Sequence, residues 1–186
     1  MSDSRVLNDS EAGRALANFA PKSDLVLVAR NPLPDKLRYK FAPVRAYLDE
    51  YCGSPDNDCE DGAFPSDCTH FVCHGLNKAG VFVKLPSADC KSGLCIRVAE
   101  LAASFHASKF KYKNVTQLSS HSETQTGDYC FIPSWFGLTK THVMVLAEKA
   151  APTGARVWAH TENRCALRVE FEGQDCVYYR ITATES

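Results

Sequence analysis

The spacing of apolar residues changes character along this chain. In its first two thirds they recur every three or four positions, and from residue 127 onward they alternate with polar ones. Residues 9–20 predict a short helix, which Asp9 or Ser10 can cap and in which Ala12, Leu16 and Phe19 share a face. Residues 25–28, Leu-Val-Leu-Val between Pro21 and Pro32, predict a strand, and residues 31–34 a turn. Residues 41–52 predict a second helix with Val44, Leu48 and Tyr51 on one side. Residues 53–66 carry turn chemistry without periodicity. The clearest helix follows. Ser66 can cap it, Cys68, Phe71, Val72, Gly75, Leu76 and Ala79 form its inner face, and Gly80 closes it. Thr69, His70, Cys73, His74, Asn77 and Lys78 form the opposite, outward face. Residues 96–108 predict another helix with Val98, Leu101, Ala102 and Phe105 inward.

Beyond Gly127 the period of two predicts strands at 129–132, 141–147, 155–161, 165–171 and 176–182, joined by connections rich in Pro, Gly and Asn. Helices first and an antiparallel meander second define an α+β domain. The 186 residues suit one domain. A net charge of −1 gives no electrostatic case for nucleic acid, and Lys109, Lys111 and Lys113 read as a solvated face. No apolar run is long enough for a membrane span. Met1 to Arg5 lack the pattern that opens a signal peptide, so the chain is expected to stay inside, to have lost its signal, or to leave by a route needing none.

Nine cysteines change this picture, because that density is unusual where thiols stay reduced. The odd count leaves at least one thiol without an intramolecular partner. Cys52 with Cys59, and Cys90 with Cys95, are close enough to close short loops, or the cysteines are small buried hydrophobes. Bridges would place the protein in a periplasm or outside a cell.

Cys68 is placed about two residues inside a helix start, where backbone N–H groups and the helix dipole favour thiolate and can hold an oxyanion. Its base must be one of six histidines. His70 and His74 fall on the outward face, and His106 and His121 lie near a helix end and in a loop. His142 and His160 each fall in a predicted strand, flanking a turn at 148–154. If Ala147 pairs with Ala155, then Met144 faces Trp158 and His142 faces His160. Two adjacent imidazoles suit a base and a group that orients it. His70, Cys73 and His74 could also be read as metal ligands, but the metalloprotease pattern needs Glu where Phe71 stands. The loop Ser134-Trp135-Phe136-Gly137-Leu138 reads either as the floor of a cleft or as apolar cover for the sheet.

Asp67-Cys68-Thr69-His70-Phe71-Val72 resembles the Asp-Cys-Ser/Thr-x-Phe-Val helix of the NlpC-type papain-like cysteine hydrolases, closest to their amidase-like branch. Gly127-Asp128 resembles the Gly-Asp strand of that family, Thr141-His142-Val143 its His-Val strand, and Ala159-His160-Thr161 the strand bearing its third polar residue. His70 departs from the Asn usual in the amidase-like branch, and Tyr51 is the nearest match to an upstream tyrosine that assists the oxyanion. The first forty residues match no part of the pattern and are read as an extension packed on a hydrolase domain spanning 41–186.

The resemblance implies a papain-like α+β fold with Cys68 as nucleophile, His142 as base and His160 as orienting residue, and no cofactor or metal. It implies an amide of the peptidoglycan stem peptide as substrate. An exported antibacterial amidase of this kind would have an inhibitory immunity partner. Two rival readings remain: a protease, deamidase or acyltransferase acting on protein or lipid, and a secreted binding domain without catalysis.

Overall fold

The computed structural model describes residues 25–53, 67–83, 97–132, 142–148, 154–160, 164–171 and 176–184. The expected helix at 9–20, the aromatic loop at 134–138, and Cys59, Cys90 and Cys95 lie outside them.

Three helices, α1 (Phe41–Tyr51), α2 (Cys68–Lys78) and α3 (Val98–Lys111), stand where periodicity placed them. Pro43 falls in the first turn of α1, where no intrahelical N–H is lost. α2 ends as expected, with Gly80 in the left-handed region at φ 74°. Two short strands, β1 (Leu27–Ala29) and β2 (Val81–Val83), pair antiparallel beside the helices.

The second half forms β3 (Val115–Leu118), β4 (Tyr129–Ile132), β5 (His142–Leu146), β6 (Gly154–Ala159), β7 (Arg164–Glu170) and β8 (Val177–Ile181). All neighbours pair antiparallel, in the order β3-β8-β4-β5-β6-β7. Only β4 to β7 follow one another as the expected meander. β8 crosses back and pairs with β4 instead of β7, because Tyr129, Cys130 and Phe131 align with Tyr179, Tyr178 and Val177 and bury on both sheet faces. β2 and β3 are too short for alternation to reveal them.

One core lies between helices and sheet and gathers Val44, Leu48, Phe71, Val72, Phe105, Tyr129, Val143, Val145 and Trp158. The opposite sheet face buries a second cluster, including Cys130, Met144, Leu146, Val157 and Tyr178. Residues 25–40 are part of the first core. Leu27, Leu37 and Tyr39 are buried in it, and Asn114 binds the backbone of Leu37 at both its N–H and its carbonyl, each at 2.8 Å.

The Gly127-Asp128 pair has a structural role. Gly127 has φ 91°, and a Cβ there would stand 3.2 Å from the Phe41 ring. Asp128 is buried and accepts two hydrogen bonds from Arg180, at 2.8 and 2.7 Å, and one from Gln125 N–H at 2.7 Å, locking β8 to the start of β4. Gly127→Ala is expected to lower stability by about 1–2 kcal/mol from the left-handed backbone alone, with the Phe41 contact adding to it. A urea midpoint equal to that of the unaltered protein would remove this account.

Of the outward face expected for α2, only its end, Asn77 and Lys78, reaches solvent. Every residue from Cys68 to Leu76 is buried, with His70 at 0% and His74 at 8% exposure. α1 covers the side read as solvated: Tyr47 stacks on His74 with ring centroids 5.5 Å apart, and a Cβ on Gly75 would meet Val44 at 3.2 Å. A helix packed by a helix on one side and a sheet on the other buries its polar residues as well, and periodicity cannot distinguish it from a surface helix.

Candidate functional site

α2 begins at Cys68 itself, one residue later than expected, with Asp67 rather than Ser66 as N-cap. The first bond of the helix runs from Phe71 N–H to the Asp67 carbonyl at 2.9 Å, so Cys68, Thr69 and His70 lie before the first intrahelical acceptor. Aspartate at an N-cap ordinarily accepts from these amides. Here its side chain makes no capping bond. It turns to His160 instead, Oδ2 lying 2.7 Å from Nδ1. The amides of the first turn thus face Cys68 and its surroundings without a carboxylate of their own N-cap among them, which keeps the positive end of the helix available to a thiolate or an oxyanion. The Cys68 sulfur is buried, 4.0 Å from Thr69 Oγ1.

His160 follows the last residue of β6 and is fully buried. Its ring stacks on Phe71 of α2, with centroids 3.8 Å apart and planes 10° apart. Its Nε2 lies 2.8 Å from the Tyr51 carbonyl. A carbonyl only accepts, so Nε2–H is the donor there, and an ionised Asp67 requires Nδ1–H as well. Both ring nitrogens are thereby engaged. The ring is held between a carboxylate and the C-terminal end of α1, where the helix dipole favours positive charge. Trp158 Nε1 donates to Asp49 Oδ1 at 2.9 Å, a second tie between β6 and α1.

This arrangement corrects the expected geometry of the histidine pair. β5 and β6 are neighbours, but Val145 pairs with Trp158 and Leu146 with Val157, and Ala147 N–H donates to the Arg156 carbonyl at 2.8 Å. The ladder is one residue out of the expected register, and a shift of one exchanges the faces. His160 lies on the helix side with Trp158 and Phe71, whereas His142 follows the alternation of Met144. With Nδ1 on Asp67 and Nε2 on Tyr51, His160 ties the start of α2 to the end of α1.

His142 opens β5, pairs with Ile132 at the end of the ladder and is half-buried. It therefore sits at the rim of the sheet. α2 lies against β5 and β6, the strand of His142 and the strand that ends at His160. The structure thus joins His160 to Asp67, the residue before Cys68, and to Phe71 of the same helix, and places His142 on the adjoining strand.

Three contributors escaped sequence reasoning: the Asp67 carboxylate, the Tyr51 carbonyl and the Phe71 ring. Asp67 was visible only as part of a motif, and no spacing rule joins it to a histidine 93 residues away. Tyr51 enters through its main chain, which no side-chain pattern can report. Its ring stacks on Tyr47 at 4.8 Å.

The expected short bridge from Cys52 to Cys59 is replaced by a long one. Cys52, directly after α1, is bonded to Cys165 of β7 across 113 residues. Cys73, Cys130 and Cys176 are buried thiols, and burial pushes the Cys130 thiol well above its ordinary range. Among the described residues no group of three or more His, Cys, Asp or Glu could hold a metal ion, and no helix is long and apolar enough to cross a membrane.

Helices, a mixed core and an antiparallel sheet define an α+β protein with a disulfide and a helix-start cysteine. No family model matches the chain, and no curated protein or solved structure matches it.

Proposed function

We propose that this chain is a cysteine amidohydrolase of the papain-like, NlpC type, cleaving an amide of the peptidoglycan stem peptide. The observation that carries the reading is the redirected cap: Asp67 binds His160, leaving the N-terminal amides of α2 to serve Cys68. A buried cysteine kept only for packing needs neither a helix start nor a cap whose carboxylate faces elsewhere.

In this mechanism Cys68 attacks the carbonyl carbon as thiolate. The first-turn N–H groups of α2 receive the developing oxyanion, a contribution of about 3 kcal/mol per donor in comparable sites. In this reading His142, which by alternation shares the face of Met144 away from α2, must bring its ring round the rim of the sheet to take the thiol proton and return it to the departing amine. Water then releases the acid from the thioester with His142 as base. His142 is the better proton carrier of the two histidines because it is half-buried at the sheet rim, whereas His160 is sealed with both nitrogens engaged. His160 holds Asp67 in place before the nucleophile. The Cys52–Cys165 bridge favours action in a periplasm or outside a cell, as an exported antibacterial amidase with an inhibitory partner would require.

Incubation with purified muropeptides, followed by product masses, tests the reading. The expected product is a stem peptide shortened at one amide. Alkylation mapping at about pH 6.5 should find Cys68 labelled before Cys73, Cys130 and Cys176. Intact muropeptides together with a rapidly labelled Cys68 would move the target to another amide or acyl group. Intact muropeptides with Cys68 no faster than the other thiols would leave a binding domain.

A further inference from the structure

We propose that the Cys52–Cys165 disulfide is a positioning latch for the site, holding the Tyr51 carbonyl on His160 so that the cysteine centre is assembled only in the oxidised protein. The bridge and the Tyr51–His160 hydrogen bond join the same two pieces of chain. Tyr51 ends α1 and Cys52 is its C-cap. His160 begins the connection from β6 to β7, and Cys165 is the second residue of β7. The two attachment points on α1 are adjacent residues, and those on the hairpin are five positions apart in sequence.

The hairpin depends on this tie. β7 is the last strand of the sheet, paired only with β6, and the β6–β7 register is interrupted between Val157 and Trp158. Ala166, the residue after Cys165, has φ 52°. An irregular edge strand is held weakly, yet the strand it pairs with is followed directly by His160, whose ring engages Asp67. From there the path is short: the bridge sets Tyr51, Tyr51 sets Nε2 of His160, Nδ1 sets Asp67, and Asp67 precedes Cys68. Tyr51, Cys52 and Cys165 are positioning residues that touch no substrate.

Closure of the latch is a thiol–disulfide exchange. Cys165 is exposed and Cys52 is buried, so an oxidant carrying a disulfide meets Cys165 first. The Cys165 thiolate attacks the oxidant's disulfide, forming a mixed disulfide and releasing one thiol of the oxidant. The Cys52 thiolate then displaces the second. Two cysteine thiols lose two protons and two electrons, and the oxidant gains the electrons as two thiols. Before export, in a reducing compartment, the same chain carries an open latch.

The proposal rests on the amidohydrolase reading only for its activity arm. Two readouts need no substrate: the ring N–H resonances of His160 in nitrogen-15 spectra, and the alkylation rate of Cys68. The protein is compared with C52S/C165S, both prepared without reductant. In the bridged protein the Nε2–H proton of His160 is seen, held on the Tyr51 carbonyl. In the folded variant the Nε2–H signal is lost, and Cys68 alkylation slows by about tenfold, following a tenfold smaller thiolate fraction. Turnover of muropeptide falls through kcat with KM unchanged. A folded variant that keeps the Nε2–H signal and the alkylation rate overturns the latch. Absent turnover in both proteins overturns only the choice of substrate. If the variant does not fold, the unaltered protein is titrated with a dithiol reductant. Loss of the Nε2–H signal while helical circular dichroism persists supports the latch, and loss only on global unfolding overturns it.

Discussion

Cys68→Ala is expected to lower the initial rate on a muropeptide by about 10⁴-fold or more, the scale seen when a covalent nucleophile is removed. The substitution deletes one sulfur from a buried position at a helix start and leaves Asp67, His160 and the first-turn amides in place, so circular dichroism and the urea midpoint should move little. That separation of activity from folding is the useful feature: no other group in the mechanism can carry the acyl intermediate. His142→Ala should be nearly as severe, because both proton transfers pass through its ring. Its position at the sheet rim, on the alternation of Met144, makes this the decisive comparison between the histidines. A folded His142→Ala protein with undiminished rate would assign proton transfer elsewhere. A folded Cys68→Ala protein that still cleaves would end the thioester mechanism.

Asp67→Ala should have the largest effect on stability, about 3–5 kcal/mol, the usual cost of removing one member of a buried ion pair. His160 has no solvent contact, so water cannot replace the carboxylate at Nδ1 once it is gone. The nitrogen is then left buried without that partner, or the hairpin must open. Asp67→Asn should lose roughly half as much, because the amide oxygen still accepts from Nδ1–H while the charge is absent. The measurement is the urea midpoint of both variants beside the unaltered protein. Equal stability of all three would show that the 2.7 Å contact carries little energy and that His160 is held by its stack on Phe71 and its bond to the Tyr51 carbonyl. Activity should follow stability only in part. Even in the folded fraction of Asp67→Ala, the freed histidine should leave Cys68 slower to alkylate at about neutral pH.

The local pattern of the chain by itself determined the helices and most of the sheet. Three- and four-residue spacing placed α1, α2 and α3, and alternation placed β4 to β8, because each signal depends only on which side of an element meets the core. It also singled out Cys68 and the two histidines of the second half, since a helix start and a pair of strands are local features. Tertiary structure decided the rest. The side of α2 carrying His70 and His74 is buried because α1 lies over it, and a polar residue in a stretch of sequence does not state what will cover it. The return of β8 to β4, and the single-residue difference in the β5–β6 ladder, arise from which buried side chains fit across the sheet. That one residue decided which face His160 occupies and gave its nitrogens to Asp67 and Tyr51. The partner of Cys52 was decided the same way. Closing a loop of 113 residues costs only slowly more entropy than closing a short one, so proximity in sequence is a poor guide to a bridge once the fold has brought two distant segments together.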